Sequence, residues 1–395
     1  MKYRELINLY KSGEIDEENK KRVERDIERQ EAISEYLFDS EEIPGIDDVV
    51  EEESVITAID DNEDVKFTKL INRSIRRAFI KMGVCVAVIT LAIVLFVVYL
   101  LPGIVDEFYY EPDKIAGTKD GMETNYLSLD MAVYTELFKP GYYRDNVIVE
   151  SNGYGEYDIN ILQTTSYTGT FTNVAGTIKK NKLVLYDSRL LNTIAINSFL
   201  PYKAGVNYGY RGMESETMEN AIASIEGLDD NERYIAYVTL SEVMSYNEFE
   251  KWSEEDEIFA NWCATCFKNE NGFYADGIIG FTYNESSHQI YYDTEKYPYL
   301  SQFDVSLTAV DNDFVASEEV MTTHYTSMLR YMADRDEFRE LMGDSYSSQE
   351  YEDMAKNVEQ NGINIYGFTT VLEKAELLEL CKNENIHYIY VQDLK

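Results

Sequence analysis

The chain has 395 residues, 45% of them apolar, and carries 73 Asp and Glu against 35 Lys and Arg, a formal charge of −38. Such a length allows two or three domains with their own cores. The charge excludes nucleic acid as a direct partner of the soluble parts, because phosphates are repelled. Four cysteines, at positions 85, 263, 266 and 381, do not make a disulfide framework, so packing must hold the folded parts together.

Residues 1–38 read as a helical hairpin. Tyr3, Leu6, Ile7 and Tyr10 form one apolar stripe, and Gly13 is placed to end that helix. Asp16 caps a second helix, with Glu17 and Glu18 at its positive end, and Val23, Ile27 and Leu37 recur there at helical spacing. A pair this small has little core of its own, so its leftover apolar stripe calls for a partner. The candidate partner-binding residues are Leu6, Leu9, Tyr10, Val23, Ile27 and Leu37 as apolar anchors, with Glu24, Glu28 and Glu31 offering charge to a basic surface. Residues 1–84 contain neither His nor Cys, which excludes a His-Cys zinc site there.

Residues 39–81 read as an acidic tether, broken at Pro44-Gly45, followed by a basic helical approach from Val65 to Lys81. Residues 82–101 are the most informative segment. MGVCVAVITLAIVLFVVYLL carries no charge and is long enough to cross a bilayer as a helix. Lys66, Lys69, Arg73, Arg76, Arg77 and Lys81 precede it, and Asp106, Glu107 and Glu111 follow it. That asymmetry orients a single-pass protein in the cell membrane with its N-terminus cytoplasmic and its C-terminus extracytoplasmic. The lipid bilayer is therefore an expected partner.

Residues 102–125 read as a charged stalk. Residues 126–229 are expected to be β-rich, since NVIVES, DINILQTTSYTGTFTNVAGTI and KLVLYDSRLLNTIAI alternate polar with apolar and β-branched residues; Met213 to Ile225 reads as a helix. Residues 230–395 read as an α+β domain with a mostly antiparallel sheet. YIAYVTLSEV is a strand leading into a helix at Tyr246–Trp252, while IFANWCATCF and ADGIIGFTY are strands. A long helix covers Ser317 to Met342, and the end reads strand, helix, strand, with Leu372, Ala375, Leu377, Leu378 and Cys381 on or near the buried face. The fold class is thus α+β, with a helical hairpin, one transmembrane helix and mixed extracytoplasmic domains.

The stretch around Leu9, Tyr10, Lys11, Gly13, Val23, Glu24, Ile27, Glu28, Ala32, Tyr36 and Leu37 resembles the N-terminal region of membrane-anchored anti-sigma factors of low-GC Gram-positive bacteria. The strand Ala236 to Glu242, the run Tyr246-Asn247-Glu248-Phe249, Phe338 and Leu341, Ile365-Tyr366-Gly367 and the strand Ile386 to Tyr390 resemble the extracytoplasmic domain of the same family. The resemblance covers residues 1–101 and 230–395, and 102–229 only loosely. It implies sequestration of an extracytoplasmic-function sigma factor through the hairpin. Release in response to an envelope signal is expected by proteolysis within the stalk and span or by a conformational change, with an envelope ligand or a protease as the further partner. An envelope-binding or scaffold protein with no sigma factor partner is the alternative.

No enzymatic motif is visible, and no cofactor or metal is expected. WCATC invites a thiol-redox reading, but in a strand Cys263 and Cys266 face opposite sides. Asp311, Asp313, Glu318 and Glu319 lack the glycine and spacing of a calcium loop. His288, His324 and His387 are scattered. Tyr291, Tyr292, Tyr297 and Tyr299 suit stacking on wall sugars or peptides, or ordinary packing.

Overall fold

The computed structural model describes residues 3–38, 63–165, 167–186, 198–208, 216–284, 289–308 and 315–394. The tether at 39–62, the end of the strand expected near Ile196, and the residues Asp311, Asp313 and His288 lie outside these. The chain forms two compact units, Met1–Val84 and Cys85–Lys395.

In the first unit, α1 (Tyr3–Ser12) and α2 (Glu17–Phe38) are joined by a short turn. Gly13 sits at φ 74°, where a side chain would be strained, and its N–H donates to the Tyr10 carbonyl at 3.2 Å. Asp16 caps α2 by accepting from the Asn19 N–H at 2.9 Å. Leu6 and Val23 are buried between the helices. The helix α3 (Glu63–Leu95) runs without a break from the basic approach into the apolar run.

In the second unit, α3 passes into a π-helical turn (Phe96–Leu100) and then α4 (Leu101–Asp106). Among the described residues, 72–106 form the one helical stretch long and apolar enough to cross a membrane. The expected stalk is folded instead: β1 (Ile115–Lys119) and β2 (Met122–Asn125) pair as a hairpin. The next segment, α5 (Tyr126–Phe138), is a helix where strands were expected. Asn125 caps it by accepting from the Ser128 N–H at 2.8 Å. It is buried on nearly every side, so it shows no helical alternation of polar and apolar residues. The strands β3 (Tyr142–Gly153), β4 (Glu156–Thr165), β5 (Thr170–Lys179) and β6 (Lys182–Leu185) form an antiparallel meander, as their alternation predicts.

After β7 (Asn207–Tyr208) and α6 (Met218–Glu226) come β8 (Arg233–Ser245), α7 (Tyr246–Glu255), β9 (Trp262–Asn269), β10 (Gly272–Ala275) and β11 (Gly280–Thr282). The helices α8 (Gln302–Ser306), α9 (Glu318–Ala333), α10 (Asp336–Met342) and α11 (Ser348–Asn361) follow. The strand β12 (Asn364–Glu373), α12 (Lys374–Leu380) and β13 (Ile386–Asp393) complete the fold. The larger sheet has the order β13-β8-β12-β9-β10-β7, with β11 on β9; its strands pair antiparallel except β10 with β7.

Ser245 and Glu248 form the capping box that starts α7 where the sequence placed it. The helix expected over Ser317–Met342 is two helices, interrupted at Asp334–Arg335. Ala375 is exposed, whereas Leu377 and Cys381 are buried.

Among the described residues, one core runs through both 126–229 and 230–395. One cluster joins Leu127, Met131 and Leu137 of α5 and Ile159 and Ile161 of β4 to Phe249, Phe281, Met328 and Phe368. The Trp262 indole N–H adds a tie, donating to the Glu136 carbonyl at 2.7 Å. A smaller cluster with Phe199, Tyr237, Trp262 and Tyr366 lies on the other face of the large sheet.

Candidate functional site

The nine candidate residues of the first unit divide by burial. Leu6 and Val23 are consumed inside the helical pair. Leu9, Tyr10 and Glu24 are half-buried, and the Tyr10 hydroxyl donates to Glu24 at 3.4 Å. Ile27, Glu28 and Glu31 are exposed on α2, with Ile27 at 43%. The spacings 24, 27, 28 and 31 place these four on one helical face, an apolar residue rimmed by carboxylates. That face suits a basic partner with an apolar pocket. The side chain of Leu37 lies outside the described residues.

In the second unit, one buried carboxylate gathers residues from the segment that leaves the candidate span and from two later parts of the chain. Asp130, on α5, is 0% exposed. Its Oδ2 accepts from the Tyr110 hydroxyl at 2.6 Å and from Arg335 Nη2 at 2.8 Å. Its Oδ1 accepts from the Tyr331 hydroxyl at 2.6 Å and from Arg335 Nε at 2.7 Å. The Arg335 guanidinium also lies over the Tyr126 ring, 4.1 Å from its centroid. Burial and then the Asp130 charge push the Tyr110 hydroxyl well above its ordinary pKa; Tyr331 shifts the same way. Burial opposes the charge on Arg335, but its hydrogen bonds and attraction to Asp130 outweigh this and raise its pKa. One carboxylate therefore joins the segment just past the helix end (Tyr110), the middle region (Asp130) and the C-terminal helices (Tyr331, Arg335).

A second buried contact ties α5 to α9. His324 Nδ1 lies 2.6 Å from the Tyr299 carbonyl and Nε2 lies 2.9 Å from a Glu136 carboxylate oxygen. Both partners are acceptors, so the site favours the doubly protonated imidazolium form of His324. Burial pulls its pKa down, but the charge and hydrogen bond of Glu136 outweigh this and the net shift is upward.

Among the described residues, the other candidates lie apart from one another. Cys263 and Cys266 both lie in β9 as free thiols, one in each of the two core clusters on opposite faces of the sheet. Burial pushes the Cys263 thiol well up and that of Cys266 up to about 12, the reverse of what a reactive thiolate needs. Tyr292 and Tyr297 are buried, donating to Asp304 and, at 2.6 Å, to Asp334, which removes them from any stacking surface. Among the described residues no group of His, Cys, Asp and Glu is placed to hold a metal ion.

Sequence reasoning missed Asp130, Tyr110, Tyr331, Arg335 and the Glu136–His324 pair. A lone acid in the apolar run of α5 was the available signal for Asp130. Nothing local marks its partners, which lie as many as 205 residues away.

Residues 225–393, from the end of α6 through β13, match the family model described as "Sigma factor regulator C-terminal". No curated protein and no solved structure matches the chain. The family match supports a role in regulating a sigma factor, with a sigma factor as partner.

Proposed function

We propose that the protein is a single-pass membrane anti-sigma factor. Residues 1–38 hold an extracytoplasmic-function sigma factor at the cytoplasmic face, residues 82–101 span the bilayer, and the C-terminal unit governs release from the other side. The observation that carries this reading is the match of residues 225–393 to a sigma factor regulator family, in a chain that also has one long apolar helix. The basic residues before that helix and the acidic ones after it support the orientation. The face made by Glu24, Ile27, Glu28 and Glu31 is the part of the first unit left over for a partner. An envelope ligand or a protease would act on the C-terminal unit, and no catalytic role is assigned to any residue.

The test is co-purification of the full chain, in detergent, with each small extracytoplasmic-function sigma factor of the same cell, scored by transcription in vitro from a promoter that the captured sigma factor serves. A stoichiometric complex that silences transcription supports the reading. Absence of a complex with any cellular sigma factor overturns it and leaves the envelope-binding alternative.

A further inference from the structure

The backbone departs from α-helical geometry where the candidate span ends. The Leu101 N–H donates to the Phe96 carbonyl, five residues back, which makes the turn π-helical. In an α-helix that N–H would serve Val97 instead. In the π register the next donor belongs to residue 102, which is proline and has no N–H. The Val97 carbonyl is thus left without a donor from its own helix. In a bilayer, an unsatisfied carbonyl is costly and water cannot relieve it.

The missing hydrogen comes from the meander. The Tyr154 hydroxyl donates to the Val97 carbonyl at 2.5 Å. Tyr154 sits in the two-residue turn between β3 and β4, where Gly153 pairs with Glu156, and it has φ 60°. Asn or Gly suits that left-handed position better than tyrosine, so the turn geometry does not explain the residue. Its neighbours are fitted to the helix end. A Cβ on Gly153 would lie 2.9 Å from Pro102 Cβ, and one on Gly155 2.5 Å from the Tyr109 ring. The Gly155 N–H donates to Asp106 Oδ1 at 2.6 Å, and its carbonyl accepts from the Lys180 N–H at 2.8 Å. Pro102 and Val97 are five residues apart, about 7.5 Å along a helix, so the Tyr154 ring reaches from the helix end back along its last apolar residues.

We infer that the Gly153–Tyr154–Gly155 turn is a latch on the C-terminal end of the span, by which the C-terminal unit holds the π turn in place. The inference deepens the proposed function by naming a device of regulation, and it rests on reading residues 82–101 as a membrane span. The two states differ in register. With the latch seated, Tyr154 supplies the hydrogen bond that the π turn lacks. With it withdrawn, the Val97 carbonyl has no donor; the α register would pair it with Leu101 but leave the Val98 carbonyl facing Pro102, which has no N–H, so each register orphans one carbonyl and the seated Tyr154 selects the π turn. Exchange between the registers rotates the preceding span by about one residue's step, roughly 100°. A change in the C-terminal unit would thereby reach the far end of the span without any catalytic step.

The test is a double-mutant cycle on the full chain in lipid nanodiscs, with Tyr154→Phe, Pro102→Ala and both together. The readouts are the carbonyl ¹³C shift of labelled Val97 and hydrogen exchange at Gly155. Pro102→Ala returns an N–H that can serve Val97. The expected result is that Tyr154→Phe moves the Val97 resonance and speeds Gly155 exchange several-fold in the otherwise unaltered chain, but changes neither once Pro102→Ala is present. An unchanged Val97 resonance in Tyr154→Phe, or equal effects in both backgrounds, overturns the latch. Alkaline extraction tests the span separately. A chain released from membranes refutes the span reading, while the Val97 resonance in detergent still decides the contact.

Discussion

Replacing Asp130 by asparagine keeps the shape of the side chain and removes its charge. Four donors converge on its two oxygens, from Tyr110, Tyr331 and two nitrogens of Arg335. The substitution turns one acceptor into an NH₂ group, so two of those donors then face another donor. It also strands the Arg335 cation, whose side chain is only 19% exposed. Removing one partner of a buried ion pair typically costs about 3–5 kcal/mol. Because Arg335 retains some contact with water, the expected loss is at the low end, about 3–4 kcal/mol. The assay is urea unfolding of the full chain in mild detergent, followed by tryptophan fluorescence. Both of the chain's tryptophans, Trp252 and Trp262, are buried in the second unit, so the signal reports on that unit alone. Arg335→Met in the same background should recover part of the loss, because the stranded cation is gone. A loss below about 1 kcal/mol, or strictly additive single and double variants, would refute the idea that this carboxylate joins the three segments.

Three further predictions follow from burial and charge. Ile27→Glu should weaken sigma factor binding while circular dichroism of the N-terminal helices stays unchanged, whereas Val23→Glu should unfold the pair and lose binding for that reason; equal helicity loss in both would refute the division into inner and outer residues. His324 has a raised folded pKa, so its contribution is fully present below the unfolded value of about 6.5 and is lost as pH rises through the folded value. Lys139, brought down to about 7 by burial and then by the nearby Arg144 charge, acts with the opposite sign and adds stability as pH rises above about 7. His324→Gln should therefore leave a stability curve that rises more steeply across neutral pH than that of the unsubstituted chain, and parallel curves would count against the imidazolium. Cys263 and Cys266 should resist alkylation by iodoacetamide at pH 8 until denaturant is added, as mass spectrometry would show; prompt native labelling of either would contradict the burial of β9.

Where the local pattern carried the physics, the sequence was sufficient to read the fold. The alternation in β3 to β5, the capping box at Ser245 and Glu248, and the strand-helix-strand ending all appear where their residues place them. The opposite-facing cysteines of β9 were legible for the same reason. The failures have a common cause in long-range packing. The helix α5 is apolar all round because it lies between the meander and the C-terminal helices, so its period was invisible. The expected stalk contains Tyr110, buried in the main core where it meets a carboxylate on α5 and the Phe338 ring of α10. Ser347 and Glu350 did announce α11 with a capping box of their own, a local signal that was overlooked. The partner face was only partly separable from the core of the helical pair. Leu6 and Val23 have the same apolar character as Ile27, and only the packing of α1 on α2 distinguishes them.

Magnitudes decide which contact serves as a switch. The Asp130 cluster, at about 3–4 kcal/mol, is too strong to open in each signalling event, since a ligand would have to discriminate between states by several hundred-fold to break it. Its role is to make Tyr110 move with α5 and α9 as one body. The Tyr154 hydrogen bond is of a different order, about 1–2 kcal/mol at a membrane boundary, which corresponds to roughly a 5- to 30-fold change in a two-state ratio. That is within reach of ligand binding or a modest rearrangement of the meander. Under the proposed function, a signal acting on the C-terminal unit would work against the latch while the Asp130 cluster carries the load. Tyr154→Phe should change sigma-dependent reporter expression without loss of stability, whereas Asp130→Asn should lower stability and protein level together. If both variants altered expression only in proportion to protein level, the division between a rigid link and a movable latch would not stand.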